Sequence, residues 1–177
     1  MKTKNIKQNL KEYFFNNPTT KMRVRQIERT LKAPLPSIIR YTKELESENT
    51  LKSSEIAGIR VYSADRASKN FIIEKKLFNI YNLFNSGLIE YLIKEYNNSL
   101  IIVFGSYSKG EDIETSDIDI YIETLKKQVF NLEKFEKILQ RKIQIFNYSN
   151  LDKIQNKELA NNIINGLILN GFLEVFK

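Results

Sequence analysis

A short apolar run that ends in glycine, followed at a fixed distance by two alternating aspartates, restricts the fold of this chain most. Residues 100–104 are LIIVF, a composition typical of a strand that is buried on both faces. The run ends in Gly105-Ser106, and ten residues separate Ser106 from Asp117. Residues 116–122 are SDIDIYI and alternate polar with apolar side chains, as in a strand with one buried face. We therefore predict two strands, with a helix that begins at Ser106 after the first.

This pattern brings together groups that suit phosphoryl chemistry. Alternate side chains of a strand point the same way and lie roughly 6.5 to 7 Å apart, so Asp117 and Asp119 could share or bracket one or two magnesium ions. Gly105 lets the backbone approach a ligand closely, and the free N–H groups of a helix that starts at Ser106 would face a triphosphate. The other interpretation is an exposed acidic strand edge, because Asp-x-Asp alone is common.

The segment GSYSKGEDIETSDIDIYI (residues 105–122) closely resembles the motif of minimal nucleotidyltransferases of the DNA polymerase beta superfamily. The resemblance extends over roughly residues 88–176. It implies that the chain binds a nucleoside triphosphate, with ATP as the expected one, together with magnesium or manganese. The implied nucleotide-binding residues are Gly105, Ser106, Lys109 and Ser116, and the implied metal ligands and catalytic residues are Asp117 and Asp119.

The same resemblance carries expectations for the carboxyl-terminal part. The segment NKELANNIINGLILNG (156–171) looks like the helix that closes many such domains, and FLEVF (172–176) is expected to add a final strand. The family has a third carboxylate on a neighbouring strand, here residues 141–146, where Gln144 takes that position. An amide can coordinate weakly but cannot accept a proton as a base. Glu123 is on the face of Asp119 but too far along the strand to substitute.

The amino-terminal third is basic. Residues 1–66 contain 14 Lys and Arg against 7 Asp and Glu, whereas residues 67–177 contain 14 of each, so the whole net charge of +7 lies in the first 66 residues. Such an asymmetry indicates a module that meets an anion, or a surface made soluble by lysine. The local pattern decides between these interpretations.

The first 65 or so residues are similar to the winged helix-turn-helix family of prokaryotic regulators. Apolar spacing predicts three helices, the first ending at Asn16-Asn17-Pro18 and the third beginning near Pro36, then a hairpin with Ala57-Gly58 at its tip. In that family the third helix enters the major groove of double-stranded DNA. A module that binds protein instead is the alternative. The implied DNA-binding residues are Ser37, Arg40, Tyr41 and Lys43 on the third helix and Arg60 on the hairpin.

Two amphipathic helices, separated at Ser86-Gly87, are predicted between residues 68 and 98. We therefore expect an α+β chain with a winged helix-turn-helix domain (1–66), a helical connector (67–98) and a nucleotidyltransferase domain (99–177) that has a small mixed sheet flanked by helices. The amino terminus lacks the apolar core of a signal peptide, and the apolar runs are too short to span a bilayer. We expect a cytoplasmic protein without a membrane partner.

The chain has no cysteine and no histidine, so catalysis by a thiolate or an imidazole is excluded. We expect an enzyme that transfers a nucleoside monophosphate from an NTP to a hydroxyl. Small relatives act as antitoxins that modify a HEPN-type toxin, which makes such a toxin an expected partner, and a homodimer is a further expectation. The second hypothesis is a transcriptional regulator that binds DNA and whose nucleotidyltransferase-like domain senses a nucleotide or a partner without catalysis, which Gln144 favours.

Overall fold

The computed structural model describes residues 5–126 and 130–174. The described residues form an α+β fold with two small sheets and helices beside them, which confirms the predicted fold class. The first part contains α1 (Ile6–Asn16), α2 (Val24–Leu31), α3 (Leu35–Ser47), β1 (Leu51–Ile56), β2 (Ile59–Ala64) and α4 (Lys69–Asn85). The second part contains α5 (Leu88–Glu95), β3 (Ile101–Phe104), α6 (Gly105–Lys109), β4 (Ile118–Glu123), α7 (Glu133–Leu139), β5 (Ile143–Tyr148), a 3-10 turn at Leu151–Lys153, α8 (Lys157–Ile164) and β6 (Leu167–Asn170).

The chain divides into two compact units, with the boundary between Phe78 and Asn79, inside α4. The segment expected as a connector is therefore shared between the units. Phe71 of α4 belongs to the core of the first unit, whereas Leu83 of α4 and Leu92 of α5 belong to a core of the second. The two helices themselves are separated at Ser86-Gly87, as predicted.

The first unit has three helices followed by an antiparallel hairpin, the predicted order of elements. Its core is built from apolar residues at helical spacing, such as Leu10 and Phe14 of α1. Met22, in the segment between the first two helices, forms two backbone hydrogen bonds with Tyr62 of β2. Met22 N–H donates to the Tyr62 carbonyl at 2.9 Å, and Tyr62 N–H donates to the Met22 carbonyl at 2.8 Å. This bridge ties the hairpin to the helical part of the unit.

The second unit contains a four-stranded sheet in the order β5-β4-β3-β6. β3 is antiparallel to β4 and to β6, and β4 is parallel to β5, so the sheet is mixed. Strand alternation gives it two covered faces. Ile118, Ile120 and Ile122 join a core with α5 and α7, whereas Tyr121 and Phe104 lie on the opposite face, in a core that includes Ile163 of α8.

The carboxyl-terminal part differs from the expectation of one long helix. The helix ends at Ile164, and β6 pairs with β3 at Leu167–Asn170, earlier than the strand expected at 172–176. Pairing with β3 takes residues 167–170 out of the helix, and it leaves room only for glycine at position 166, where a Cβ would lie 2.6 Å from Ile102 Cγ2 and 2.7 Å from the Val103 carbonyl oxygen. Residues 172–174 are outside any strand, and Val175 and Phe176 lie outside the described residues.

None of the helices in residues 5–126 and 130–174 combines the length and the apolar character needed to cross a bilayer.

Candidate active site

Gly105 joins β3 to α6 and lies directly against the second aspartate. Phe104, the last residue of β3, is in register with Asp119 of β4. Gly105 has a φ of +72°, and a Cβ added to it would lie 2.6 Å from Asp119 Oδ2. Both the left-handed backbone and the close approach therefore require glycine. The backbone of the turn and the Asp119 carboxylate form the centre of the site.

The short helix α6 contains two further residues of the predicted nucleotide-binding set, Ser106 and Lys109, whereas Ser116 lies in the turn before β4. Ser106 is half-buried in its first turn, where helical N–H groups lack an intrahelical acceptor. Ser108 Oγ donates to the Gly105 carbonyl at 2.9 Å, which stiffens the turn. Lys109 is exposed in the last turn.

Asp117 lies one residue before β4, which corrects the expectation that the strand already contains it. The reason is a tight turn closed by Ser116, whose N–H donates to the Ile113 carbonyl at 3.0 Å and whose Oγ accepts from Ile113 N–H at 2.9 Å. Asp117 is exposed, and Asp119 is half-buried. The structure thus gives the two carboxylates different surroundings.

The Asp119 carboxyl group has a raised pKa, first because of burial and second because of the negative charge of Asp117. A bound divalent cation would remove both penalties, so Asp117 and Asp119 fit a magnesium site chemically. Among the described residues, no group of three or more Asp, Glu, His or Cys side chains is placed to hold a metal. The carboxylate set of the site therefore consists of this pair.

Gln144 is the cross-strand neighbour of Asp119 in the parallel β4–β5 register. It is exposed and is located where the sequence predicts it, so this position offers an amide and not a carboxylate. Glu123 is four residues farther along β4, and its carboxylate accepts a hydrogen bond from Tyr121 Oη at 3.3 Å. Neither residue supplies a third carboxylate beside Asp119.

Three buried polar residues behind the site were missing from the sequence interpretation. Asp112 is 1% exposed, and its carboxylate pairs with Arg141 at 3.3 Å and accepts from Asn79 Nδ2 at 2.7 Å. Asn79 Nδ2 also donates to the Tyr107 carbonyl of α6 at 2.9 Å. The sequence offered one indication of these residues, which is that Asp112 lies within the motif segment of residues 105–122. A cavity of about 450 Å³ opens beside Asp117, and its lining includes Ser116 and Arg141.

The predicted DNA-binding side chains lie on the first unit. Arg40 is 62% exposed, its guanidinium carbon lies 4.4 Å from the centre of the Tyr41 ring, and its Nε lies 3.7 Å from Glu44 Oε1. Lys43 is exposed and Ser37 is half-buried on the same helix, and Arg60 is exposed on β2. The prediction omitted two further exposed cations, Arg25 and Arg29 on α2. The sequence could have indicated them, since Arg25 and Arg29 are four residues apart and therefore lie on the same face of α2.

Comparison with known proteins gives one family match, over the second half of the chain. Residues 87–169 match the family model described as Polymerase beta, Nucleotidyltransferase. A solved structure described as a "possible transcriptional regulator from Methanosarcina mazei Go1" is 23% identical, covers 54% of this chain and 81% of its own, and has a TM-score of 0.35. The curated proteins include no match to the chain. Residues 87–169 are therefore similar to the nucleotidyltransferase domain of the polymerase beta family, and they contain the whole Gly105, Asp117 and Asp119 site.

Proposed function

We propose that this chain is a DNA-binding nucleotidyltransferase that transfers a nucleoside monophosphate, AMP from ATP, to a hydroxyl acceptor. The observation that carries the proposal is the close approach of the Gly105 backbone to the Asp119 carboxylate, with Asp117 in the residue directly before the same strand. A turn rich in backbone N–H groups beside two carboxylates suits a triphosphate that binds as a metal complex.

In the proposed reaction, the acceptor oxygen forms a bond to the α-phosphorus of the NTP while the bond to the leaving pyrophosphate breaks. The N–H groups of Gly105 and Ser106 would bind phosphate oxygens, and Lys109 would add a positive charge. Asp117 and Asp119 would hold magnesium or manganese, which neutralises negative charge that develops on the phosphates. Gln144 cannot take the acceptor proton, so that proton leaves to water.

This division of roles sets the expected rate. Because Gln144 stands in place of a carboxylate, the proposed site has no base there to activate the acceptor. The residues proposed to bind the nucleotide are not changed by this replacement. We therefore propose slow transfer with ordinary nucleotide binding.

The basic first unit supports a role on double-stranded DNA. Its exposed cations on α2, α3 and β2 would neutralise phosphates and so supply non-specific affinity. In the proposed arrangement the acceptor is a protein partner, a toxin of the HEPN type, and DNA binding allows the chain to regulate its own synthesis.

The second candidate function is a DNA-binding regulator whose nucleotidyltransferase-like domain binds a nucleotide or a partner without catalysis. The specific observation in its favour is the pairing of Asp119 with Gln144 at the position where the family has a carboxylate. The absence of a general base there costs catalysis more than it costs binding.

Transfer of label from each α-³²P-labelled NTP to macromolecules of a lysate from the same source tests the proposal. The reaction contains magnesium or manganese, and the control is the Asp117→Asn/Asp119→Asn variant. Label that requires wild type supports the transferase and reveals the class of acceptor. Equal transfer of label by the double variant would show that Asp117 and Asp119 are not the catalytic residues. If no label appears but the NTP binds to wild type, the regulator becomes the better description.

A further inference from the structure

The loop that joins α6 to β4 is attached to the rest of the second unit by side chains that the proposed chemistry does not use. Asp112, at the start of this loop, is almost completely buried and faces Arg141, whose side chain is 4% exposed. The Asp112 carboxylate oxygen Oδ2 lies 3.3 Å from Arg141 Nη2, and Oδ1 accepts from Asn79 at 2.7 Å. Removing two charges from water costs free energy, and this cost is offset only when the pair has good geometry and further hydrogen bonds.

These contacts lead directly to the backbone between the two aspartates. Arg141 precedes Lys142, whose carbonyl oxygen accepts a hydrogen bond from Ile118 N–H at 2.8 Å. Ile118 lies between Asp117 and Asp119. The ion pair of Arg141 and Asp112 thus connects the start of the loop to the strand end that receives the aspartates.

The same residues also hold the nucleotide-binding turn. Asn79 Nδ2 donates to both Asp112 and the Tyr107 carbonyl in α6, so one amide connects the helix that follows Gly105 to the loop that precedes Asp117. The intervening turn is closed by Ser116 and Ile113. Both halves of the candidate site are therefore attached to one buried ion pair.

We propose that Asp112 and Arg141 are positioning residues: their buried ion pair sets the place of Asp117 relative to Asp119 and so determines the affinity of the pair for a divalent cation. This inference rests on the proposed function, because it assumes that the two aspartates bind a metal. In this proposal the two residues act on the aspartates through the backbone of Ile118 and the loop before it. Outer residues that orient metal ligands typically change affinity by about 10- to 100-fold when they are replaced.

The test measures Mn²⁺ binding to the full chain by the loss of the free-ion electron paramagnetic resonance signal. In Asp112→Asn the amide oxygen can still accept from Asn79, but the charge opposite Arg141 is lost. We expect the Mn²⁺ dissociation constant to rise about tenfold. The matched control is Glu111→Gln, which removes the same charge from the exposed neighbouring residue and is expected to leave the constant within about twofold.

A second measurement separates positioning from general stability. Hydrogen exchange at the Ile118 amide is expected to become about tenfold faster in Asp112→Asn, with the β3 amides unchanged. The double variant Asp112→Asn/Arg141→Gln removes both buried charges of the pair, so its resistance to urea should recover while its Mn²⁺ affinity stays low. If the affinity recovers together with the stability, the ion pair has a structural role only and the proposal is overturned.

The outcomes for this inference and for the proposed function are distinct. Wild type that binds Mn²⁺ no better than Asp117→Asn/Asp119→Asn removes the metal site, and with it both the proposed function and this inference. Wild type that binds Mn²⁺, together with an Asp112→Asn variant of equal affinity, overturns the inference alone.

Discussion

The ion pairs of Lys7 and Lys11 in the first unit and of Asp112 and Arg141 in the second differ in how far they are buried. In the first unit, Lys7 lies between Glu44 and Glu48, and Lys11 between Glu48 and Glu74, in pairs that remain partly exposed. In the second unit, the pair of Asp112 and Arg141 is buried. The two aspartates of the candidate site are adjacent like charges, and one of them is half-buried. The first 66 residues carry the surplus of cations, whereas in the second unit the buried pair and the half-buried Asp119 are the charges that we expect to matter individually.

The contrast shows how the surroundings of a charge determine its importance. Water and salt screen an exposed pair, and its side chains lose rotamer freedom when they pair, so exposed pairs contribute little. A buried charge has no such screening and depends on one or two specific partners. We therefore expect single changes to the partly exposed pairs of Lys7 and Lys11 to have small effects and changes to the buried pair of Asp112 and Arg141 to have large effects.

The largest expected effect comes from Gly105→Ala. The new Cβ would overlap Asp119 Oδ2 at 2.6 Å, in addition to the strain of a φ of +72°. We expect transfer of label to fall by about 100-fold, because misplacement of a reacting group by about 1 Å has effects of that size.

Gly58→Ala is the matched control in the first unit, since Gly58 has a φ of +73° but nothing lies within 4 Å of the added Cβ. It has the backbone strain without the overlap. Similar losses of transfer in both variants would mean that strain alone, and not the contact with Asp119, explains the requirement for glycine.

The next effect compares the two kinds of ion pair by urea unfolding. We expect Asp112→Asn to lower the free energy of unfolding by about 3 kcal/mol, because the buried Arg141 then faces a neutral amide and not the Asp112 carboxylate. Glu48→Gln removes one member of the exposed pairs with Lys7 and Lys11 and should cost at most about 1 kcal/mol. Equal losses would contradict the distinction between the units.

A smaller effect, of opposite sign, is expected for Asp119→Asn. The folded-state pKa of Asp119 is raised, so its contribution favours folding below the unfolded pKa and is lost as the pH rises through the folded pKa. At pH 7 without metal, replacement by Asn should increase the free energy of unfolding by about 1 kcal/mol. At pH 3 the difference should vanish, because both side chains are then neutral. Urea titrations with a chelator at the two pH values measure this difference in the free energy of unfolding. A variant that is less stable than wild type at pH 7 would contradict the penalty that burial and the charge of Asp117 impose on ionised Asp119.

The smallest effect is expected for Arg40→Ala. Many exposed cations share the first unit, so the loss of one should weaken binding to a DNA duplex only about threefold and lower the salt slope by about 0.9. Fluorescence anisotropy at several salt concentrations measures both quantities. An unchanged slope, or no binding of DNA by wild type, would favour a protein-binding role for this unit.

Much of the candidate site could be predicted because its residues are close in the sequence. Gly105 at a strand end and the alternation around Asp119 are local patterns, and strand geometry alone places Gln144 opposite Asp119 once the two strands are parallel. The helix expected over residues 156–171 ends earlier because its last apolar residues, in Leu167–Asn170, are equally suited to a short strand. Pairing with β3 and the restricted space at Gly166 decide between them, and both depend on contacts that are distant in the sequence.

The sequence by itself determined the order of elements in the first unit, the basic first third, the glycine turn and the carboxylate pair, because each follows from local composition or from a period of two or 3.6 residues. Only the tertiary structure decided that the boundary between the units falls inside α4 and that Asp112, Arg141 and Asn79 meet behind the site. Whether a polar residue is buried beside a partner depends on which segments pack together. Asp112 and Arg141 are 29 residues apart, and no local pattern distinguishes them from solvated surface charges.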